Sequence, residues 1–127
     1  MEYPRKTPYH PRATIVLIGM RGVGKTTLGL IASTALGRRF VDLDSVLENA
    51  TGMSVSAFVA DNGWPAFREK EAQILSASLQ RLPFDAVIAC GGGVVESSEC
   101  RRLLINAKET CPVIFVVRER GEVVKYL

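Results

Sequence analysis

The sequence predicts an α/β fold on a short parallel sheet of four strands. Three observations carry that prediction. Short, continuous apolar runs rich in β-branched residues alternate with stretches of helical periodicity. The links between them are brief. The first apolar run enters its helix through a glycine-rich loop, GMRGVGKTT at residues 19–27. In such sheets ligands bind beyond the carboxyl ends of the strands. The glycine and acidic clusters fall there: 19–26, 42–44 and 91–93.

Taken in order, residues 1–12 (MEYPRKTPYHPR) read as a flexible basic arm with prolines at 4, 8 and 11. No apolar stretch follows its basic residues, so it is not a secretory signal. ATIVLI (13–18) suits a strand buried on both faces. After the glycine loop, Leu28, Ile31, Ala32, Ala35 and Leu36 recur as a helical apolar stripe that Gly37 ends. RFVDLD (39–44) reads as a second strand ending in two aspartates. Residues 45–51 are predicted helical, and Ser54 caps a further short helix, VSAFVADN. A longer helix is predicted from Trp64 to Gln80, with Phe67, Glu71, Ile74, Leu75 and Leu79 in register. DAVIAC (85–90) is the third strand, stopped by GGG; residues 97–107 are helical; CPVIFVV (111–117) is the fourth strand. RERGEVVKYL begins another helix.

The chain has 127 residues, 47% hydrophobic and 23% charged, which suits one domain with its own core. No apolar run is long enough to cross a bilayer. The formal charge is +3, and Arg5, Lys6 and Arg12 put most of it in the arm. The body has no basic stripe interleaved with aromatics, which argues against direct nucleic-acid binding. Three cysteines, with no CxxC and no Cys/His cluster, argue against a disulfide framework and structural zinc. Reduced thiols and an intracellular home are expected. His10, the only histidine, lies in the arm.

GMRGVGKT fits G-x-x-x-x-G-K-[ST] with Gly19, Gly24, Lys25 and Thr26, in the strand-loop-helix setting that the motif requires. It predicts a P-loop NTPase-like three-layer sandwich that binds ATP or ADP. Glycine lets the backbone turn tightly and approach phosphate without a Cβ in the way. The stretch Gly22, Val23, Gly24, Lys25, Thr26 and Thr27 then forms an anion nest at the positive end of a helix dipole. Lys25 would contact the β and γ phosphates, and the Thr26 hydroxyl would be a Mg2+ ligand. The plainer alternative is a glycine turn without a ligand. A dinucleotide fingerprint is excluded, because Gly22-x-Gly24 is followed by Thr27.

The third strand ends without a carboxylate, so Asp42 and Asp44 are the nearest acidic candidates. Alternation along an extended chain puts both on one side. One would reach hydrated Mg2+ and the other would take a proton or hydrogen bond from a substrate hydroxyl; the alternative is helix capping. Arg68, among the aromatics of WPAFREKE, could hold a carboxylate through two parallel hydrogen bonds, or simply pair with Glu69 or Glu71. Gly91, Gly92 and Gly93 would admit a small polar ligand close to the backbone, or form a flexible turn.

GMRGVGKTT, FVDLD, NGWPAFREKE and ACGGGVV, in this order, resemble the shikimate kinase family over residues 13–127. The resemblance implies transfer of the ATP γ-phosphate to the 3-hydroxyl of shikimate. It implies that Gly22, Gly24, Lys25 and Thr26 hold ATP and Mg2+, with Asp42 on the metal's water shell and Asp44 orienting or deprotonating the hydroxyl. Arg68 would grip the shikimate carboxylate with Glu71 holding it in place. Phe58 and Phe67 would pack around the ring, and Gly91–Gly93 would line its pocket.

The family continues past the fourth strand into a lid with a phosphate-reaching arginine, a fifth strand and a closing helix. The sequence stops at Leu127, and Arg118 and Arg120 lie too near the fourth strand to match that arginine. The expectation is therefore phosphate binding with little turnover. It extends to an apolar edge covered by self-association or another domain. The style of NGWPAFRE and CGGGVVE is similar to the fungal branch. There the domain occurs in a multifunctional aromatic-biosynthesis enzyme and in a related quinate-pathway transcriptional repressor. The arm and the early stop favour a non-catalytic regulatory module, cytoplasmic or nuclear, that binds shikimate or a quinate-like acid. The alternative is a fragment of an active kinase.

Overall fold

The structure, a computed structural model, describes residues 8–20 and 22–117. Strand β1 (Ile15–Ile18) leads through the glycine loop into α1 (Lys25–Leu36). β2 (Arg39–Asp42), α2 (Leu43–Thr51), α3 (Val55–Asn62) and α4 (Trp64–Arg81) follow. β3 (Ala86–Ala89), a 3-10 turn (Val94–Glu96), α5 (Ser98–Ala107) and β4 (Val113–Phe115) complete the described part. The four strands form one parallel sheet, as predicted, and their order is β2-β3-β1-β4.

β3 is buried at all four residues, the mark of a central strand covered on both faces. Val16, Ile88, Leu43, Leu75, Val94, Cys100 and Leu104 join it to α2, α4, α5 and the 3-10 turn in one core. Burial raises the Cys90 and Cys100 thiols, which keeps them un-ionised core residues. Caps fix the helix starts. Asp42 accepts from Asp44 N, Ser54 from Ala57 N and Ser97 from Cys100 N. Gly37 and Gly52 end α1 and α2 in the left-handed region.

Two sequence expectations change. The apolar stripe of α1 is not its buried face. Gly29 and Ser33 face inward with Lys25, while Leu28, Leu30, Ile31 and Leu36 are exposed, Ile31 to 62%. A Cβ at Gly29 would stand 2.3 Å from Phe40 Cε1, so the missing side chain lets α1 settle onto β2. Second, β2 ends at Asp42 rather than running through 44. Asp42 caps α2 and Asp44 sits in that helix's first turn, so strand alternation does not relate them.

Residues 9–12 lie against the body: Tyr9 Oη donates to Lys108 O, and Arg12 pairs with Asp85 at 2.6 Å. Ile114, Phe115 and Val117, in or just after β4, are exposed. Arg118, Arg120 and the helix predicted after them lie outside the described residues. Among the described residues, no helix is long and apolar enough to cross a membrane.

Candidate functional site

The site lies at the carboxyl ends of the strands and has two adjoining hollows. The first, of about 370 Å3, is lined by Gly22, Gly24, Lys25, Thr26 and Thr27 and by Asp42, Asp44, Ala89, Cys90 and Gly92. Gly22 and Gly24 hold φ values of 83° and 98°, in the left-handed region that glycine adopts without strain. Gly19 is required for a different reason: a Cβ there would lie 2.4 Å from Val116 O on the neighbouring strand segment. No side chain caps the start of α1 and its first turn holds no acidic residue, so the positive end of the helix opens onto the hollow. Lys25 is 9% exposed and its Nζ donates to Gly19 O at 2.5 Å and Met20 O at 2.8 Å. The ammonium thus ties the loop back on itself beside an open pocket. Val23 is not among the lining residues; its N–H donates to Met20 O and shapes the turn.

The second hollow, of about 980 Å3, is walled by Asp44, Val59, Trp64, Phe67, Arg68, Glu71, the glycines 91–93, Val95, Glu96 and Phe115, among others. Asp44 and Gly92 line both hollows. Arg68 reaches in from the first turns of α4. Its guanidinium lies 5.3 Å from the ring centres of both Trp64 and Phe67, within cation–π range. Nη1 donates to Glu71 Oε1 at 2.9 Å and Nη2 to Glu96 Oε2 at 3.0 Å. Glu71 is 6% exposed, and its other oxygen is buried with no hydrogen-bond partner. Burial pushes the Glu71 carboxyl above the ordinary glutamate value, and Arg68 opposes that shift.

The glycines explain how these groups come together. A Cβ on Gly91 would stand 2.8 Å from Asp44 Oδ1 and 3.1 Å from Glu71 Oε2. A Cβ on Gly93 would stand 2.6 Å from Arg68 Nη2. The strand-to-helix turn is therefore bare where two carboxylates and a guanidinium converge.

Of the residues singled out in the sequence, Phe58 stands back from the hollow, packing edge-on against Phe67 at 6.5 Å between ring centres. The Arg68–Glu71 pair forms as one of the two alternatives foresaw, and Arg68 faces the hollow as well. Sequence reasoning gave no lining role to Met20, Val59, Val95, Glu96 or Phe115. None belongs to a pattern that marks a ligand, and only the tertiary fold gathers them.

Thr26 and Asp42 line the same pocket and offer one hydroxyl and one carboxylate. That oxygen set suits Mg2+, which keeps most of its waters and takes its remaining ligands from phosphate. The residues present therefore fit the ion.

A parallel α/β sheet with a glycine phosphate loop at the end of β1 defines a P-loop NTPase-like protein. The shikimate kinase profile matches residues 21–127, and the chain belongs to the shikimate kinase family. It is 46% identical over 127 aligned positions to the pentafunctional AROM polypeptide of Mycosarcoma maydis, covering 98% of this chain and 7% of that one. The corresponding polypeptide of Pneumocystis carinii is 43% identical over 121 positions, covering 94% and 8%. Among solved structures, shikimate kinase from Acinetobacter baumannii in complex with shikimate superposes with a TM-score of 0.78 at 30% identity. That match covers 86% of this chain and 58% of the other. Shikimate kinase from Bacteroides thetaiotaomicron gives 0.73 at 29% identity, covering 81% and 56%. The chain thus spans under a tenth of these AROM polypeptides and somewhat over half of these kinases. Neither the repressor and quinate expectations nor the nuclear one finds support in these relatives.

Proposed function

We propose that this chain is the nucleotide- and shikimate-binding part of an ATP-dependent shikimate kinase, within a polypeptide of the AROM kind. The observation that carries the reading is that Asp44 and Gly92 belong to both hollows. A hydroxyl acceptor held by Arg68 would meet the end of a triphosphate held by the loop, with Asp44 between them.

In that mechanism the start of α1 and the loop amides receive the β and γ phosphates, and Lys25 exchanges its carbonyl partners for phosphate oxygens. Thr26 and Asp42 would hold Mg2+, which supplies charge neutralisation as the β–γ bridging oxygen leaves. Arg68 binds the shikimate carboxylate, and Phe67 and Trp64 flank the ring. The 3-hydroxyl oxygen attacks Pγ; its proton passes to Asp44, and the bond from Pγ to the bridging oxygen breaks to release ADP. The relatives are pentafunctional AROM polypeptides and shikimate kinases, which favours this reading over a regulatory module.

The test combines calorimetry with a coupled assay on the full-length polypeptide. Heat is expected with ADP–Mg2+ and with shikimate, together with shikimate-dependent ADP release of about 1–100 per second and one shikimate 3-phosphate per ADP. Absence of both shikimate heat and shikimate-dependent ADP would refute the proposal.

A further inference from the structure

We infer that Glu96 is an internal competitor that sets the affinity for the acid: its carboxylate sits on the Arg68 nitrogen that a ligand carboxylate needs, and the ligand displaces it. The inference rests on the shikimate reading above and deepens it.

The two carboxylates on Arg68 differ in kind. Glu71 is buried, three residues along the same helix, and holds Nη1. It is a fixture of the fold. Glu96 comes from the far wall, and its side chain is 73% exposed while it holds Nη2. Its main chain is fixed on both sides. Glu96 N donates to Gly93 O, Arg101 Nη1 donates to Val95 O, and Ser97 caps α5. Only the side chain is left to move. Both Arg68 and Glu96 line the acceptor hollow.

A ligand carboxylate can make two bonds to Arg68 only along an edge that includes Nη2, because the Nη1–Nη2 and Nε–Nη2 edges share that nitrogen, and Nη2 is the one that Glu96 holds. Displacing Glu96 is cheap, because exposed ion pairs contribute little. The exchange swaps one carboxylate for another, so the charge on Arg68 is neutralised before and after. A ligand without a carboxylate leaves Glu96 in place and gains nothing from Arg68. Glu96 therefore lowers the affinity for the acid while leaving its neutral analogue untouched.

The test uses the full-length polypeptide as wild type, Glu96→Gln and Glu96→Asp, titrated with shikimate and with its methyl ester. Glu96→Gln is expected to tighten shikimate about two- to fivefold, within the range of an exposed pair. The methyl ester constant and the KM for ATP should not change. Glu96→Asp keeps the charge but is one methylene too short to span to Nη2, so it should behave like Gln. An Asp variant that behaves like wild type would mean general charge repulsion and would overturn the inference. So would unchanged or weaker shikimate binding in Glu96→Gln, or equal gains for acid and ester. If wild type binds shikimate and these results fail, Glu96 alone is misread. If wild type binds no shikimate, the functional reading falls and takes this inference with it.

Discussion

Around the smaller hollow stand main-chain amides at the start of α1, two glycines in left-handed conformations and one lysine tied to the loop's carbonyls. Across Asp44, the larger hollow is a wall of side chains drawn from α2, α3, α4 and the turn after β3, with one arginine anchored to the buried Glu71. The first half is written into consecutive residues. The second exists only once distant elements have packed. The two halves should therefore fail differently when disturbed: one through local chemistry, the other through misplacement.

Lys25→Ala should give the largest effect. A preorganised cation facing transition-state charge contributes on the order of 10²–10³ in rate. Shikimate-dependent ADP release should fall by about that factor, with heat on ADP–Mg2+ lost and shikimate heat retained. Equal loss of both heats would break the division between the halves.

On the acceptor side, Gly91→Ala and Gly93→Ala each add one methyl group, and neither glycine needs a positive φ. The new methyl at 91 meets Asp44 and Glu71; at 93 it meets Arg68. Crowding of this sort costs about 1–3 kcal/mol, so roughly tenfold effects are expected. Gly91→Ala should lower kcat, and Gly93→Ala should raise the KM for shikimate with kcat held. Identical kinetic signatures in the two variants would show that the turn acts as a single unit.

Gly29→Ala sharpens the comparison from behind the phosphate loop. Its methyl would overlap the Phe40 ring, at a cost of about 1–3 kcal/mol. Thermal melting should show a lowered Tm, while folded molecules keep their ADP affinity. A loss of affinity without a change in Tm would place Gly29 in the binding machinery instead.

The smallest effect concerns Glu71. Its carboxyl is raised in the folded state, chiefly by burial. It therefore favours folding most when protonated, below the ordinary glutamate value. That contribution disappears as pH rises through the raised value. Urea midpoints of wild type minus Glu71→Gln should fall over that window and then level off. A difference that grows with pH would mean that Arg68 outweighs burial.

The glycine loop was legible in the sequence, because a tight turn that exposes amides demands glycine at fixed spacings and those spacings are local. Asp42 and Asp44 do line one hollow, but not by the geometry that the sequence suggested. The strand stops at Asp42, two residues short of relating them by alternation, and Asp42 becomes a cap. The stripe on α1 misled for a packing reason. Periodicity counts large apolar residues, whereas close approach to Phe40 selected the small ones, Gly29 and Ser33. Glu96 left no trace, since a lone acidic residue in an exposed turn has no pattern until Arg68 arrives from another helix.

Trp64 is the sole tryptophan of the sequence and stands at the rim of the acceptor hollow, 56% exposed, with the Arg68 guanidinium over its ring. Indole emission responds to nearby charge and to water. Any anion that rearranges Arg68 therefore changes the surroundings of a fluorophore already in place, and the domain reports on its own cleft without a dye.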